Sequence, residues 1–257
     1  MMTAKSRPAC SGAHMAQLLS GPSLLRLKKG RQVPLRVRVN PRARRILISV
    51  SPHFAGIELV LPRPGLLAEG LAFVTERGDW IAASLDELPA PVPFQEGVEI
   101  PFLGQSLTIR CRPGEAGFIL PTEDFLEIDG PAETLPERIG LWLRQQAERE
   151  IRVRAQAGVV QLGASYRRII VSDTKSRWGS CSYEGDLRFS WRLIFAPEMV
   201  LDYVVAHEVA HLREMNHGRN FWALVKTLVG EFRPAQEWLR KNGPALYRYG
   251  QCEPELP

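Results

Sequence analysis

The sequence predicts an α+β protein, and three features of the chain support this class. The first half contains short apolar runs, many of them alternating with polar residues, that Gly and Pro separate from one another, a pattern typical of strands. The second half opens with a long stretch of helical periodicity. A later helix carries histidines at metal-ligand spacing. We therefore expect a small β-rich N-terminal region followed by a catalytic domain with its metal site on a helix.

Composition and pattern divide the chain into four segments. Residues 1–22 indicate a flexible leader, because they lack the sustained apolar core of a secretory signal, and Met15 is an alternative start. Residues 23–132 form the β-rich region with one helix. Residues 133–250 form the catalytic domain, and residues 251–257 form a tail.

The β-rich region begins with two alternating segments, residues 33–39 and 46–50, on either side of the turn-like residues 40–42. This pattern predicts an antiparallel hairpin with arginines on one face. Residues 57–61 predict a third strand, and residues 66–85 predict a helix. The Pro-rich residues 89–93 predict a stiff connector, after which short strands are expected at 100–103, 107–110, 117–120 and 125–128.

The second half is predicted to begin with a helix from Pro136 to about Ala157, since Pro is favourable in the first turn. Two strands follow, at residues 166–172 and 187–194. Pro197 then opens the helix that carries the histidines. Two last helices are expected at about residues 220–229 and 234–241, with a C-terminal stop at Asn242-Gly243.

Basic residues are concentrated at the start of the chain. The formal net charge is +5, yet residues 1–50 contain eleven Lys or Arg and no acid, and the first acidic residue is Glu58. Such asymmetry can mark a polyanion partner, so nucleic-acid binding through basic residues 26–45 is one hypothesis. The alternative is a solvated arginine face on an exposed hairpin.

The cysteines and the apolar runs favour a cytoplasmic location. The four cysteines are scattered without a Cys-x-x-Cys pair, which predicts neither a disulfide framework nor a cysteine zinc site. A reducing compartment is therefore expected. No apolar run approaches the length of about 20 residues that a membrane-spanning helix needs, so no membrane partner is expected.

The segment His207-Glu208-Val209-Ala210-His211 carries the predicted chemistry. Residues four apart on a helix lie on one face, so both imidazoles can bind one Zn²⁺ ion. Glu208 lies about 100° around the helix, where it misses the metal but reaches a zinc-bound water. We expect one zinc per chain and Glu208 as the general base that activates this water.

The third metal ligand is predicted to be His217, six residues after His211, because Gly218 can adopt a positive φ and so end the helix in a bend. Glu231 and Glu237 are the alternative third ligands. The competing interpretation is that the histidines are hydrogen-bonded core residues without a metal. Three of only five histidines fall within eleven residues around a Glu, which favours the metal site.

Several stretches of the second half form one longer motif. They are Lys175-Ser176-Arg177-Trp178-Gly179-Ser180-Cys181-Ser182, Leu193-Ile194-Phe195-Ala196-Pro197, Asp202-Tyr203-Val204-Val205-Ala206-His207-Glu208-Val209-Ala210-His211-Leu212 and Asn216-His217-Gly218-Arg219-Asn220-Phe221-Trp222. With these stretches, residues 173–222 resemble the YgjP-like metal-dependent hydrolases, relatives of the SprT-like and broader zincin peptidases. The likeness extends weakly upstream through the arginine-rich segment, Trp80-Ile81 and residues 100–104.

The resemblance implies a zincin-type α+β catalytic domain, a single zinc and His217 as third ligand. Three positions depart from related patterns: Ser190 replaces a frequent Asn, Ala206 replaces a larger aliphatic residue, and Glu214 stands where metzincins have Gly. The expected activity is that of a zinc metallopeptidase acting on a protein or peptide. A nucleic-acid-associated protein and a binding module with structural zinc are the other hypotheses.

The stretch Trp178-Gly179-Ser180-Cys181 permits two interpretations. It can form the wall or edge strand of a substrate cleft, with Arg177 or Lys175 binding a substrate carbonyl or carboxylate. Alternatively, Trp178 is a core residue that a bulge at Gly179 orients. Cys181 is expected to be a buried small hydrophobe and not a nucleophile.

Overall fold

The computed structural model describes residues 23–27, 30–51, 56–112, 114, 117–174 and 177–251. The predicted leader, Lys175 and residues 252–257 of the predicted tail lie outside the described residues. The chain forms two compact units that divide at Pro89–Ala90, within the Pro-rich connector. The α+β class that the sequence predicts is confirmed.

The first unit is a four-stranded sheet with two short helices. The strands are β1 (Ser23–Arg26), β2 (Gln32–Val39), β3 (Leu47–Ser51) and β4 (Gly56–Leu61), in the order β1-β2-β4-β3. The predicted β2–β3 hairpin is wrong, because β4 lies between these strands, parallel to β2 and antiparallel to β3. β4 takes this central place because nearly all of its side chains are buried, whereas β2 and β3 keep exposed faces.

The single helix expected in this unit is two helices, α1 (Leu67–Glu76) and α2 (Gly78–Asp86). The break falls at Arg77, directly before a glycine, the residue that helices accommodate least well after proline. α1 packs closely on β4, since a Cβ atom at Gly70 would lie 2.7 Å from Leu61. Leu67, Val74 and Ile81 are buried on the sheet side.

The second unit opens with another four-stranded sheet: β5 (Glu99–Phe102), β6 (Gln105–Arg112), β7 (Ile119–Pro121) and β8 (Phe125–Asp129), ordered β5-β6-β8-β7. From the sequence, these strands were expected to belong to the N-terminal region. In the structure their buried residues, such as Ile109 and Ile128, join one core with the helices of the histidine segment. The division between the two compact units falls at Pro89–Ala90, before these strands.

A long helix, α3 (Leu135–Leu162), runs through the core of the second unit. Every fourth residue is buried along it: Leu135, Ile139, Leu143, Ala147, Ile151, Ala155 and Val159. Because each step of four residues turns about 40° beyond a full turn, the stripe winds around the helix and meets several neighbouring elements along its length. The helix extends five residues beyond the predicted end, and it stops at Gly163, whose φ of 57° is left-handed.

A three-stranded sheet and three further helices complete the unit. The strands are β9 (Arg168–Ser172), β10 (Gly179–Cys181) and β11 (Asp186–Ser190), and the order β10-β11-β9 leaves β10 at an edge. The helices are α4 (Glu198–Ala210), α5 (Arg219–Val229) and α6 (Arg233–Asn242). The final turns, residues 243–248, form a 3-10 helix. None of the helices in the described ranges is long and apolar enough to cross a membrane.

The strand predicted at residues 187–194 is only partly present. β11 ends at Ser190, and Trp191–Phe195 form a buried 3-10 helix. The Ser190 hydroxyl accepts a hydrogen bond from the Arg192 backbone N–H, which turns the chain. The Arg192 guanidinium then binds Asp173 and three backbone carbonyls of residues 246–249, so a buried cation is fully paired here.

Candidate metal centre

The helix α4 places the first histidine and the glutamate of the predicted site. Nine of its residues are buried, and they are distributed around the whole helix, as expected of a helix inside a domain. α3 approaches α4 closely at Gly158, where a Cβ atom would lie 3.2 Å from Val209. This packing fixes the helix that carries His207 and Glu208.

The helix ends earlier than the sequence predicts. The lack of Gly and Pro through Asn216 allowed an uninterrupted helix, yet α4 stops at Ala210 and His211 is its C-terminal cap. The turn that follows is anchored by Arg213, whose guanidinium donates to the carbonyls of Leu162 and Gly163 at 2.8 and 2.5 Å. Gly218 does not adopt the expected positive φ, because it is extended (φ −81°) and precedes α5.

The structure brings His207, His211 and His217 together. One ring nitrogen from each lies within 4.8 Å of the other two, and the Nε2 atoms of His207 and His217 are 3.1 Å apart. The alternative ligands Glu231 and Glu237 are not part of this group. Three neutral imidazole nitrogens are a donor set that suits zinc and leaves a position open.

Hydrogen bonds on the outer nitrogens orient two of the rings. His211 Nδ1 lies 3.0 Å from the carbonyl oxygen of Glu214, which can only accept, so Nδ1 carries the proton and Nε2 the lone pair. His207 Nδ1 lies 3.5 Å from the Tyr203 hydroxyl, and Gln236 donates to that hydroxyl at 2.9 Å. In metal-binding histidines, a hydrogen bond on the outer ring nitrogen orients the ring so that the other nitrogen faces the metal.

Burial and mutual repulsion favour neutral rings at this site. Burial, together with the neighbouring His211 and His217, lowers the pKa of His207 to about 4. Burial also lowers the pKa of His211. Phe221, fully buried in α5, contacts all three rings at centroid distances of 4.5–4.8 Å. Phe221 thus packs in the core and supports the three histidine rings at the same time.

Glu208, the residue after His207 on α4, is only 6% exposed. Gly179 of β10 packs directly on it, since a Cβ atom there would lie 2.6 Å from both Cγ and Oε1 of Glu208. Burial raises the pKa of Glu208 to about 8, and the Arg177 charge opposes this rise. The glutamate is thus held by a sheet edge as well as by its own helix.

The stretch around Gly179 has structural features that each interpretation expected, and its role in a substrate cleft stays a prediction. Gly179–Cys181 is an edge strand, as one interpretation expected, and Trp178 stacks on Tyr247 with ring centroids 5.1 Å apart, as a packed residue does. Gly179 makes room for Glu208, which the sequence interpretation missed. Burial raises the pKa of the Cys181 thiol to about 11, consistent with a non-nucleophilic cysteine.

A family model described as "YgjP-like, metallopeptidase domain" matches residues 44–242. The chain belongs to the YgjP-like metallopeptidase family. The family implies a catalytic metal and a metal-dependent hydrolase, and it suggests a protein or peptide substrate. The resemblance seen in the sequence is therefore confirmed.

Two solved structures are similar to part of the chain. One is the metallopeptidase zymogen abylysin of Pyrococcus abyssi, with 20% identity and a TM-score of 0.33 over 38% of this chain and 97% of that one. The other is the metallopeptidase zymogen jannalysin of Methanocaldococcus jannaschii, with 20% identity and a TM-score of 0.32 over 37% and 96%. No curated protein matches the chain.

Nucleic-acid binding finds no support in these comparisons. Two of the basic residues at the start of the chain are paired with acids within the first unit: Arg31 with Asp86 at 2.5 Å and Arg38 with Glu58 at 3.4 Å. This pairing fits the alternative of a solvated arginine face.

Proposed function

We propose that this chain is a zinc-dependent peptidase in which His207, His211 and His217 hold one zinc ion and Glu208 is the general base. The observation that carries the proposal is the group of three imidazole nitrogens within 4.8 Å of one another, with a buried carboxylate on the residue next to the first histidine. A structural zinc site normally closes all four positions with protein ligands, whereas this group supplies three.

Zinc, when bound, lowers the pKa of a coordinated water and polarises a substrate carbonyl. The protein residues provide the rest of the chemistry. The Glu208 carboxylate accepts a proton from the attacking water and delivers it to the amine that leaves. Gly179 keeps this carboxylate in place, because its missing side chain lets β10 contact Glu208 directly.

The free edge of β10 supports an extended peptide as the substrate. A peptide can add to an exposed sheet edge through main-chain hydrogen bonds, and β10 is an edge strand whose first residue touches the general base. Peptide addition there would carry the scissile bond past Glu208. Arg177, exposed and next to β10 in sequence, is then placed to bind a substrate carbonyl or carboxylate.

The test compares wild type, Glu208→Gln and His207→Ala by elemental mass spectrometry and by cleavage of a mixed peptide library. About one zinc per chain is expected in wild type and in Glu208→Gln, and little in His207→Ala. Glu208→Gln should lose turnover while keeping zinc, since the amide retains the shape and loses the base. Full activity in Glu208→Gln would contradict the assigned role.

A further inference from the structure

A small apolar recess opens directly beside the general base. It has a volume of about 170 Å³ and lies between β10, α4 and α6. Glu208 and His207 line one side of it, and its walls are Trp178, Tyr203, Val204 and Leu239. Binding pockets for drug-sized ligands occupy about 300–1,000 Å³, so this apolar recess has room for one side chain and not for a whole cofactor.

The walls of the apolar recess are held in position before any ligand arrives. Trp178 stacks on Tyr247, and its indole also packs on Gly243, where a Cβ atom would come within 3.1 Å. On the opposite wall, Tyr203 stacks on Phe232 with centroids 5.9 Å apart and accepts the hydrogen bond from Gln236. Preformed walls reduce the ordering cost of binding a side chain.

The chemistry of the lining selects against charged side chains. Apart from Glu208 and His207, the lining residues carry no charge. A substrate carboxylate would be repelled by Glu208 at short range. A Lys or Arg side chain would lose its hydration and would pair with the carboxylate that the reaction needs free. An uncharged apolar side chain meets neither cost and gains from burial against Trp178, Val204 and Leu239.

We propose that the apolar recess binds the substrate side chain next to the cleaved bond and selects an aliphatic residue such as Leu, Ile, Val or Met. This inference rests on the proposed function, since it places the substrate at the same site. Leu239 is the specificity-determining residue, because it is half-buried on α6 and lines the apolar recess without contributing to the histidine group.

The experiment uses the full zinc-loaded chain and a peptide series that varies only one residue beside a fixed cleavage site. We expect kcat/KM to fall about 10–200-fold when an aliphatic residue at the selected position is replaced by Lys or Glu, the range that loss of small apolar contacts produces. Leu239→Glu should reverse this preference: the kcat/KM of the Lys peptide should become at least tenfold higher than that of the Leu peptide. The matched control is Leu141→Glu, an exposed leucine on α3, which should keep the wild-type order.

Leu239→Ala is the second variant, in case Leu239→Glu does not fold. It enlarges the apolar recess, so Phe and Trp should gain relative to Val. Two results would overturn this inference while leaving the proposed function intact. One is cleavage with no side-chain preference on either side of the cleaved bond. The other is a set of active Leu239 variants that keep the wild-type substrate preference. A zinc-loaded wild type that cleaves no peptide of the series or of a mixed library would overturn the proposed function and the inference together.

Discussion

Replacing Gly179 with Ala tests whether β10 positions the general base. The added Cβ atom would lie 2.6 Å from Glu208 Cγ and Oε1 and 2.9 Å from Cδ. Real Cβ contacts essentially never fall below 3.0 Å and are ordinary from 3.4 Å, so the Glu208 side chain must move by about 0.4–0.8 Å. Gly179 has no left-handed φ, so the backbone itself accepts alanine.

We expect this movement to lower the catalytic rate and to leave the stability of the fold almost unchanged. The displaced atoms belong to a side chain that can rotate, which keeps the loss of stability small. Misplacing a catalytic group by about 1 Å costs roughly 10²-fold in rate, so kcat should fall by about that factor. Zinc content should be unchanged, because the three atoms nearest the added Cβ all belong to Glu208 and not to a histidine.

The assay measures kcat on the best cleaved peptide, zinc per chain and the thermal midpoint for wild type, Gly179→Ala and Gly65→Ala. Gly65 is the matched control, since a Cβ atom there would meet nothing within 4 Å. A Gly179→Ala enzyme with kcat within threefold of wild type and full zinc would refute the argument that β10 positions Glu208.

Three further predictions concern the site and the core. Tyr203→Phe removes the hydroxyl beside His207 Nδ1 and should weaken zinc affinity by about 10–100-fold in competition with a chromophoric chelator; unchanged affinity would contradict the positioning role. Hydrogen bonds from Arg167, then Arg168, hold the pKa of buried Asp186 well below its ordinary value of 3.8. Its stabilising effect is therefore present above about pH 4 and lost as pH falls further, so the thermal midpoints of wild type and Asp186→Asn should differ at pH 7 and converge towards pH 2. Leu143→Ala should cost about 2–5 kcal/mol in chemical unfolding, whereas Leu141→Ala, on the exposed side of the same helix, should cost under about 0.5 kcal/mol; equal losses would contradict the assigned core.

Local patterns predicted most of the elements but not how the strands pair. The alternation in β2 and β3 correctly marked two half-buried strands, and their closeness in sequence suggested a hairpin. The signal against that hairpin was the run Gly56–Leu61, whose nearly continuous apolar character indicates a central strand with neighbours on both sides. Strand order depends on such long-range packing, which a local period does not report.

The candidate site was likewise predicted only in part from the sequence. His207, Glu208, His211 and His217 were found because they lie close together in sequence and form a helix-and-turn motif. Gly179, by contrast, supports Glu208 from another element, and only a tertiary contact connects the two. A glycine in a strand does signal close backbone approach, but the sequence does not say what approaches.

The contiguity of the three histidines has a consequence for how the enzyme matures. All three lie on one short segment, α4 and the turn that follows it, so a metal ion can be captured by closing only a small loop of chain. The contact of Glu208 with Gly179, by contrast, joins the helix to the distant strand β10, and contacts between remote segments form more slowly than local ones. A partly folded chain can therefore bring the three histidines together before Glu208 gains its contact with Gly179.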